Sequence, residues 1–214
     1  MICRRERDGL LLFEASTGQT AFLSGEELRV LENWLETGRD SAFVRRLHDL
    51  RVLRPLRPEQ KRDMLEQIRS EHASSPFHCM TVPESIHIDL TTRCPYHCPQ
   101  CYKGEQDGQD LPFTTLDNLI RQAQEMRVFQ IAFGGGEPLL YPGLEKAVRQ
   151  VSQAEMACTI TTSGGTLSAG LLERLKAVGL RHMQVSLNGS REEIHRRSRD
   201  GFREAIAALK LLRG

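Results

Sequence analysis

The chain has 214 residues, 39% of them hydrophobic and 27% charged, with a formal net charge of +1. That is the balance of an ordinary globular protein of one or two domains in water, with no basic excess that would point to a nucleic acid and no apolar run of the roughly 18 residues that span a bilayer. Six cysteines and no apolar signal segment at Met1-Ile2-Cys3-Arg4-Arg5 point to a reducing, cytoplasmic compartment.

In chain order, Leu10 to Ala15 and Thr20 to Leu23 flank Ser16-Thr17-Gly18-Gln19 and read as a hairpin. Ser24-Gly25-Glu26-Glu27 supplies a capping box that opens a helix with Leu28, Leu31 and Leu35 on one face, stopped at Gly38. Phe43, Val44, Leu47 and Leu50 keep helical spacing in a second helix, and Lys61 to Ser70 reads as a polar helix. Hairpin plus short helices forms a small winged-helix-like α+β domain over residues 1–70. Residues 71–83, with Ser74-Ser75-Pro76, read as a linker, and 84–214 form a second domain.

In that second domain strands alternate with helices. The strands are Ile86 to Leu90, Val128 to Phe133, Ala157 to Thr162 and Met183 to Leu187. The helices carry Leu116, Leu119, Ile120 and Ala123, then Leu144, Ala147, Val148 and Val151, then Leu171, Leu172, Leu175 and Val178, and last Phe202, Ala205, Ile206 and Leu209. Such alternation specifies an α/β fold with a parallel sheet, whose ligands gather at the carboxyl ends of the strands.

Two motifs stand at such ends. After the first strand comes Cys94-Pro95-Tyr96-His97-Cys98-Pro99-Gln100-Cys101. Three thiolates on one tight loop suit three irons of a 4Fe-4S cube, leaving the fourth iron open to another molecule. The competing reading, a zinc site completed by His97 or Cys79, lacks a second Cys-x2-Cys pair; a disulfide framework lacks a secretion signal. After the second strand comes Gly134-Gly135-Gly136-Glu137-Pro138. It is either a plain strand-to-helix turn or a place where the backbone approaches a ligand closely and Glu137 offers its carboxylate to a cation.

Cys-x3-Cys-x2-Cys followed by Gly-Gly-Glu-Pro closely resembles the paired signature of the radical S-adenosylmethionine (radical SAM) superfamily over residues 84–214. The resemblance implies a partial (β/α) barrel, a 4Fe-4S cluster on Cys94, Cys98 and Cys101, and SAM held by Gly135, Gly136, Glu137 and Pro138. Ser186-Leu187-Asn188-Gly189 is similar to the Ser-Leu-Asp-Gly of the peptide-modifying and sulfatase-maturing branches. There Ser186 would touch SAM, and Arg199, with Arg197 second, would meet its carboxylate; the alternative is a solvated basic run. Tyr102 matches the Tyr that lies beside the adenine, and His195 has a counterpart in these branches, where a structural role is the commoner one. Ser163 stands where the family often has the Asn that meets SAM, and Gln100 where an aromatic residue or His is more usual. Cys3, Cys79 and Cys158 are scattered, with Cys158 reading as buried filler.

The resemblance further implies a 5'-deoxyadenosyl radical that abstracts hydrogen from a substrate, and an electron supplied by a reducing donor protein. The first domain resembles the peptide-recognition domain of maturases of ribosomally made peptides, which captures a leader peptide as an added strand. A peptide-maturase-like enzyme is therefore expected, with sulfatase maturation, tetrapyrrole side-chain chemistry and a non-catalytic cluster- or peptide-binding remnant as alternatives. At about 30 residues per unit, 84–214 holds four of the family's six strand-helix units. That is the expectation for a truncated product, one piece of a split enzyme or a shortened protein with weak SAM cleavage.

Overall fold

The computed structural model describes residues 1–70, 82–103 and 108–213. The linker reading and the Cys79 alternative fall largely on residues outside this set. The chain divides into two compact units, one of Met1–Glu84 with Glu125–Phe129, the other of Ser85–Gln124 with Gln130–Gly214.

The first unit opens with a strand that the sequence reading did not include. β1 (Ile2–Glu6) pairs antiparallel with β2 (Gly9–Glu14), which pairs antiparallel with β3 (Gln19–Leu23), so the expected hairpin is two-thirds of a three-stranded sheet. The charges of β1 disguise it. Arg4 is buried, with Nε 2.7 Å from Glu6 Oε1 and its guanidinium 4.5 Å over the Phe129 ring. The Met1 ammonium lies 3.6 Å from the buried Glu14 carboxylate.

Three helices follow, α1 (Gly25–Thr37), α2 (Ala42–Asp49) and α3 (Pro58–Arg69). The Ser24 N–H donates to Glu27 at 3.4 Å, and Gly38 ends α1 at φ 70°, a left-handed turn that a Cβ would oppose. Leu10, Leu12, Leu31, Val44 and Met64 form the fully buried centre. Leu50 is the C-cap of α2 and is 52% exposed, so it does not share the buried face expected for it. Val128 and Phe129, read as the start of a strand, precede it and belong to this unit, with Phe129 stacked on Phe13 at 5.0 Å.

The second unit is a four-stranded parallel sheet in the order β4 (Ser85–Thr91), β5 (Gln130–Gly135), β6 (Ala157–Thr162), β7 (His182–Val185). The intervening and following helices are α4 (Phe113–Glu125), α5 (Leu144–Gln153), α6 (Ala169–Ala177), α7 (Glu192–His195) and α8 (Phe202–Arg213).

Residues in register on neighbouring strands point to one side of a sheet. One face therefore carries Ile88, Phe133, Ile160 and Met183, the row that meets the helices' apolar stripes. The other carries His87, Ala132, Thr159 and His182, then Asp89, Gly134, Thr161 and Gln184. Short and polar side chains in both rows leave this face open, unlike the bulky layers that fill a closed barrel. Leu119 and Leu209 flank their helices' stripes and stay 39% and 38% exposed, contrary to expectation. Leu187 falls beyond β7 and is 36% exposed.

Candidate functional site

The two motifs form one structure. A register shift between Asp89 and Thr91 interrupts the regular pairing of β4 with β5 and leaves Thr91 opposite Gly135, the last pair before the cysteine loop. Beyond it, the Gly136 N–H donates to Thr91 O and the Glu137 N–H to Arg93 O, each at 2.7 Å. The glycines permit this contact. A Cβ on Gly135, which sits at φ 127°, would stand 2.5 Å from Thr91 O, and one on Gly136 would meet Arg93 O and lie 2.7 Å from Thr92 O.

Arg93, one residue before Cys94, donates to Leu140 O at 2.7 Å and to both Asp110 oxygens, tying the loop to the short 3-10 turn Pro138–Leu140 that the Pro138 ring starts.

The far side of the cysteine loop is docked by residues 198–200. The His97 N–H donates to Asp200 Oδ2 at 3.0 Å, the Asp200 N–H to Cys98 Sγ at 3.4 Å, and the Gln100 N–H to Ser198 O at 3.3 Å. Burial pushes the Cys94 thiol above its ordinary value; the Tyr96 backbone N–H opposes this, while the charges of Glu137, Cys98 and Cys101 add to it. The three thiols and Glu137 thus share one electrostatic neighbourhood. Among the described residues no three His, Cys, Asp or Glu side chains close on a single metal ion. A cube asks for something else, one thiolate on each of three irons.

Glu137 is fully buried. Its Oε1 accepts from Thr162 Oγ1 at 2.6 Å and from the Leu139 N–H at 3.3 Å; its Oε2 accepts from the Ser163 N–H at 2.9 Å and from the Ser163 hydroxyl. Ser186 is fastened to the same place, its N–H donating to Thr162 O at 2.8 Å. Arg199 is partly buried, and its Nε has no hydrogen-bond partner and no solvent, whereas Arg196 and Arg197 are exposed. Tyr102 is 81% exposed, with Lys103 Nζ 5.2 Å from its ring, and is not gathered with the others. His195 is buried, receiving the Asn188 N–H at Nδ1 and facing Asp200 O through Nε2, so it braces the loop that docks the cysteines.

Tyr96 escaped the sequence reading. Its ring fills the space beside two glycines, where a Cβ on Gly165 or Gly201 would come within 2.9 and 2.7 Å of it. Burial first, then the charges of Glu204 and Glu137, push its phenol up to about 12. The only signal in the sequence is that glycines follow β6 and precede α8. Cys3 and Cys158 are buried free thiols, both raised to about 12, chiefly by burial. Protonated, they are poor ligands and poor nucleophiles.

Three thiols on one loop, a glycine cradle that any Cβ would fill, and an orphaned guanidinium nitrogen on Arg199, whose chain neighbours Ser198 and Asp200 dock that loop, suit an iron-sulfur cluster with an amino acid-bearing ligand. Residues 88–214 match the Radical SAM superfamily, and the chain belongs to that family of enzymes, whose cofactors are a 4Fe-4S cluster and SAM.

Among relatives, the PqqA peptide cyclase of Gluconobacter oxydans is 36% identical over 107 residues, 49% of this chain and 30% of that protein. That of Ruegeria pomeroyi is 34% identical over 120 residues, 54% of this chain and 32% of its own length. Among solved structures, Streptococcus suis SuiB bound to S-adenosylmethionine aligns over 98% of this chain and 51% of its own, with TM-score 0.64 and 17% identity. SuiB bound to its precursor peptide SuiA aligns over 92% and 49%, with TM-score 0.59 and 15% identity. These likenesses show the fold, a partial barrel of the radical SAM type. The chain spans about half of SuiB, and its matches take in about a third of the cyclases.

Proposed function

We propose that this chain is a radical SAM maturase of a ribosomally synthesised peptide. The observation that carries the proposal is the backbone seam from Thr91 and Arg93 to Gly136 and Glu137, which brings the cysteine loop and the glycine loop together at the ends of adjacent strands. Similarity to the PqqA peptide cyclases supports the choice of substrate class. Cys94, Cys98 and Cys101 would hold the 4Fe-4S cluster. Gly135, Gly136, Glu137 and Pro138 would receive the amino end of SAM, Arg199 its carboxylate, and Ser163 and Ser186 would complete its surroundings, while the exposed Tyr102 would have to move to reach the adenine. When bound, the pair supplies a 5'-deoxyadenosyl radical able to abstract hydrogen from an unactivated carbon.

The chain's own residues bind and orient. Asp200 and Ser198 brace the loop of thiolates, and Arg93 fixes its entry. The open sheet face with His87, Asp89, Thr159 and Thr161 gives the peptide segment a polar floor.

In the first unit, β3 pairs only with β2 among the described residues and is largely exposed, while β1 at the other edge is buried. A leader peptide would add to β3 as a further strand. The enzyme would draw electrons from a reducing donor protein in the cytoplasm, where its free thiols persist. No helix among the described residues is long and apolar enough to cross a membrane.

The test is anaerobic incubation of the cluster-loaded protein with dithionite, SAM and the precursor peptide encoded beside its gene. Formation of 5'-deoxyadenosine together with a mass change in the peptide supports the proposal. Formation of 5'-deoxyadenosine with every such peptide unchanged contradicts the substrate assignment.

A further inference from the structure

Glu137 has more donors than a waiting ligand-binding carboxylate needs. A carboxylate offers about four lone-pair positions, and the chain fills them from within, with Thr162 Oγ1 and the Leu139 N–H on one oxygen and the Ser163 N–H and hydroxyl on the other. With Glu137 fully buried and Ser163 only 8% exposed, water takes none of these places.

Three of the four donors are fixed. Two are backbone N–H groups, and the Thr162 hydroxyl is itself pinned because Oγ1 accepts the Gly164 N–H at 2.9 Å. The Ser163 hydroxyl alone leaves by rotation about one side-chain bond.

We propose that the Ser163 hydroxyl occupies the acceptor position on Glu137 that an ammonium group needs, so that Ser163 sets the affinity of this site for an amino acid-bearing ligand. The inference rests on Glu137 as the ammonium acceptor of the proposed function and deepens it. An entering ammonium displaces the hydroxyl from Oε2 and makes a charge-assisted hydrogen bond in its place, which is the stronger of the two. The exchange still forfeits one hydrogen bond inside the protein. Ser163 therefore weakens binding, the reverse of what a supporting residue does, and it acts only on ligands that carry the amino group.

The experiment is calorimetry on the full chain, cluster loaded, with SAM and with 5'-methylthioadenosine, which lacks the amino acid portion. Ser163→Ala should tighten SAM binding by about two- to tenfold, the worth of one net hydrogen bond, and leave 5'-methylthioadenosine unchanged. Ser163→Cys, whose thiol is a weak donor, should fall between and serves if the alanine variant does not fold. Iron content and circular dichroism equal to the parent confirm a like-for-like comparison. Unchanged or weaker SAM binding in a folded variant, with the parent binding normally, overturns this inference alone. A loaded parent and variants that all fail to bind SAM overturn it together with the proposed function.

Discussion

The Thr162 hydroxyl at the end of β6 donates to the Glu137 carboxylate at the end of β5 across 2.6 Å, with both residues out of solvent. The same Thr162 Oγ1 accepts the Gly164 N–H, so one hydroxyl joins the glycine loop to the loop that follows β6. Thr162→Val keeps the volume but leaves the Gly164 N–H and one side of Glu137 short of a partner. It should destabilise the fold by about 1–3 kcal/mol, measured by chemical denaturation, and weaken SAM binding as well. Full stability in the valine variant would show that the bond is dispensable.

The glycines are steric requirements. Gly136→Ala drives a Cβ into the Arg93 and Thr92 carbonyl oxygens, which are backbone and cannot swing aside. A loss of about 2–3 kcal/mol is expected, with reduced iron uptake because the displaced segment leads directly into Cys94. Gly170→Ala is the control; its Cβ would meet nothing nearer than Arg174 Nη1 at 3.7 Å.

Arg199 and Arg197 are two residues apart in sequence but differ in surroundings. Arg199 Nε is buried and unpartnered, while Arg197 is exposed. Arg199→Lys removes the planar fork that pairs with a carboxylate and should weaken SAM binding about tenfold or more, whereas Arg197→Ala should leave it within about twofold. Equal effects by calorimetry would remove the distinction.

Alkaline pH should unfold the protein through its buried thiols. Burial, its only cause, raises Cys158 from 9.0 to about 12. Burial first, then the neighbouring Asp63 charge, raises Cys3 to the same value. The unfolded chain releases these protons near pH 9 while the folded chain keeps them. Stability is therefore whole below pH 9 and falls as pH rises toward 12, at about 1.4 kcal/mol per pH unit for each thiol. Cys158→Ala should lower stability at pH 7 yet flatten its decline between pH 9 and 12 in denaturant titrations. An unaltered decline would mean that this thiol does not drive it.

The two motifs were legible in the sequence because each must lie at the end of a strand and each demands unusual residues, cysteines in one and glycines in the other. The alternation that specified the parallel sheet was equally plain, since Ile88, Phe133 and Ile160 each fall in a short strand-like segment followed by a glycine- or proline-bearing loop and then a helical apolar stripe. β1 was not legible, because Arg4 and Glu6 neutralise each other inside the fold and read as surface in a list of residues. Nor was the start of β5, where Val128 and Phe129 have strand composition but are claimed by packing against Phe13 in the first unit. At the site, the sequence named Ser163 as a replaced amide. That its hydroxyl is occupied by Glu137 depends on how the ends of β5 and β6 meet, which no local pattern records.

The most direct measurement is metal content after anaerobic reconstitution with iron and sulfide, made on the parent chain and on Cys94→Ala, Cys98→Ala and Cys101→Ala. A cube held by these three cysteines predicts about four irons per parent chain, as site differentiation requires, and loss of the visible absorbance in each single variant. One zinc per chain with no uptake of iron, or full iron binding after loss of any of the three cysteines, would contradict it.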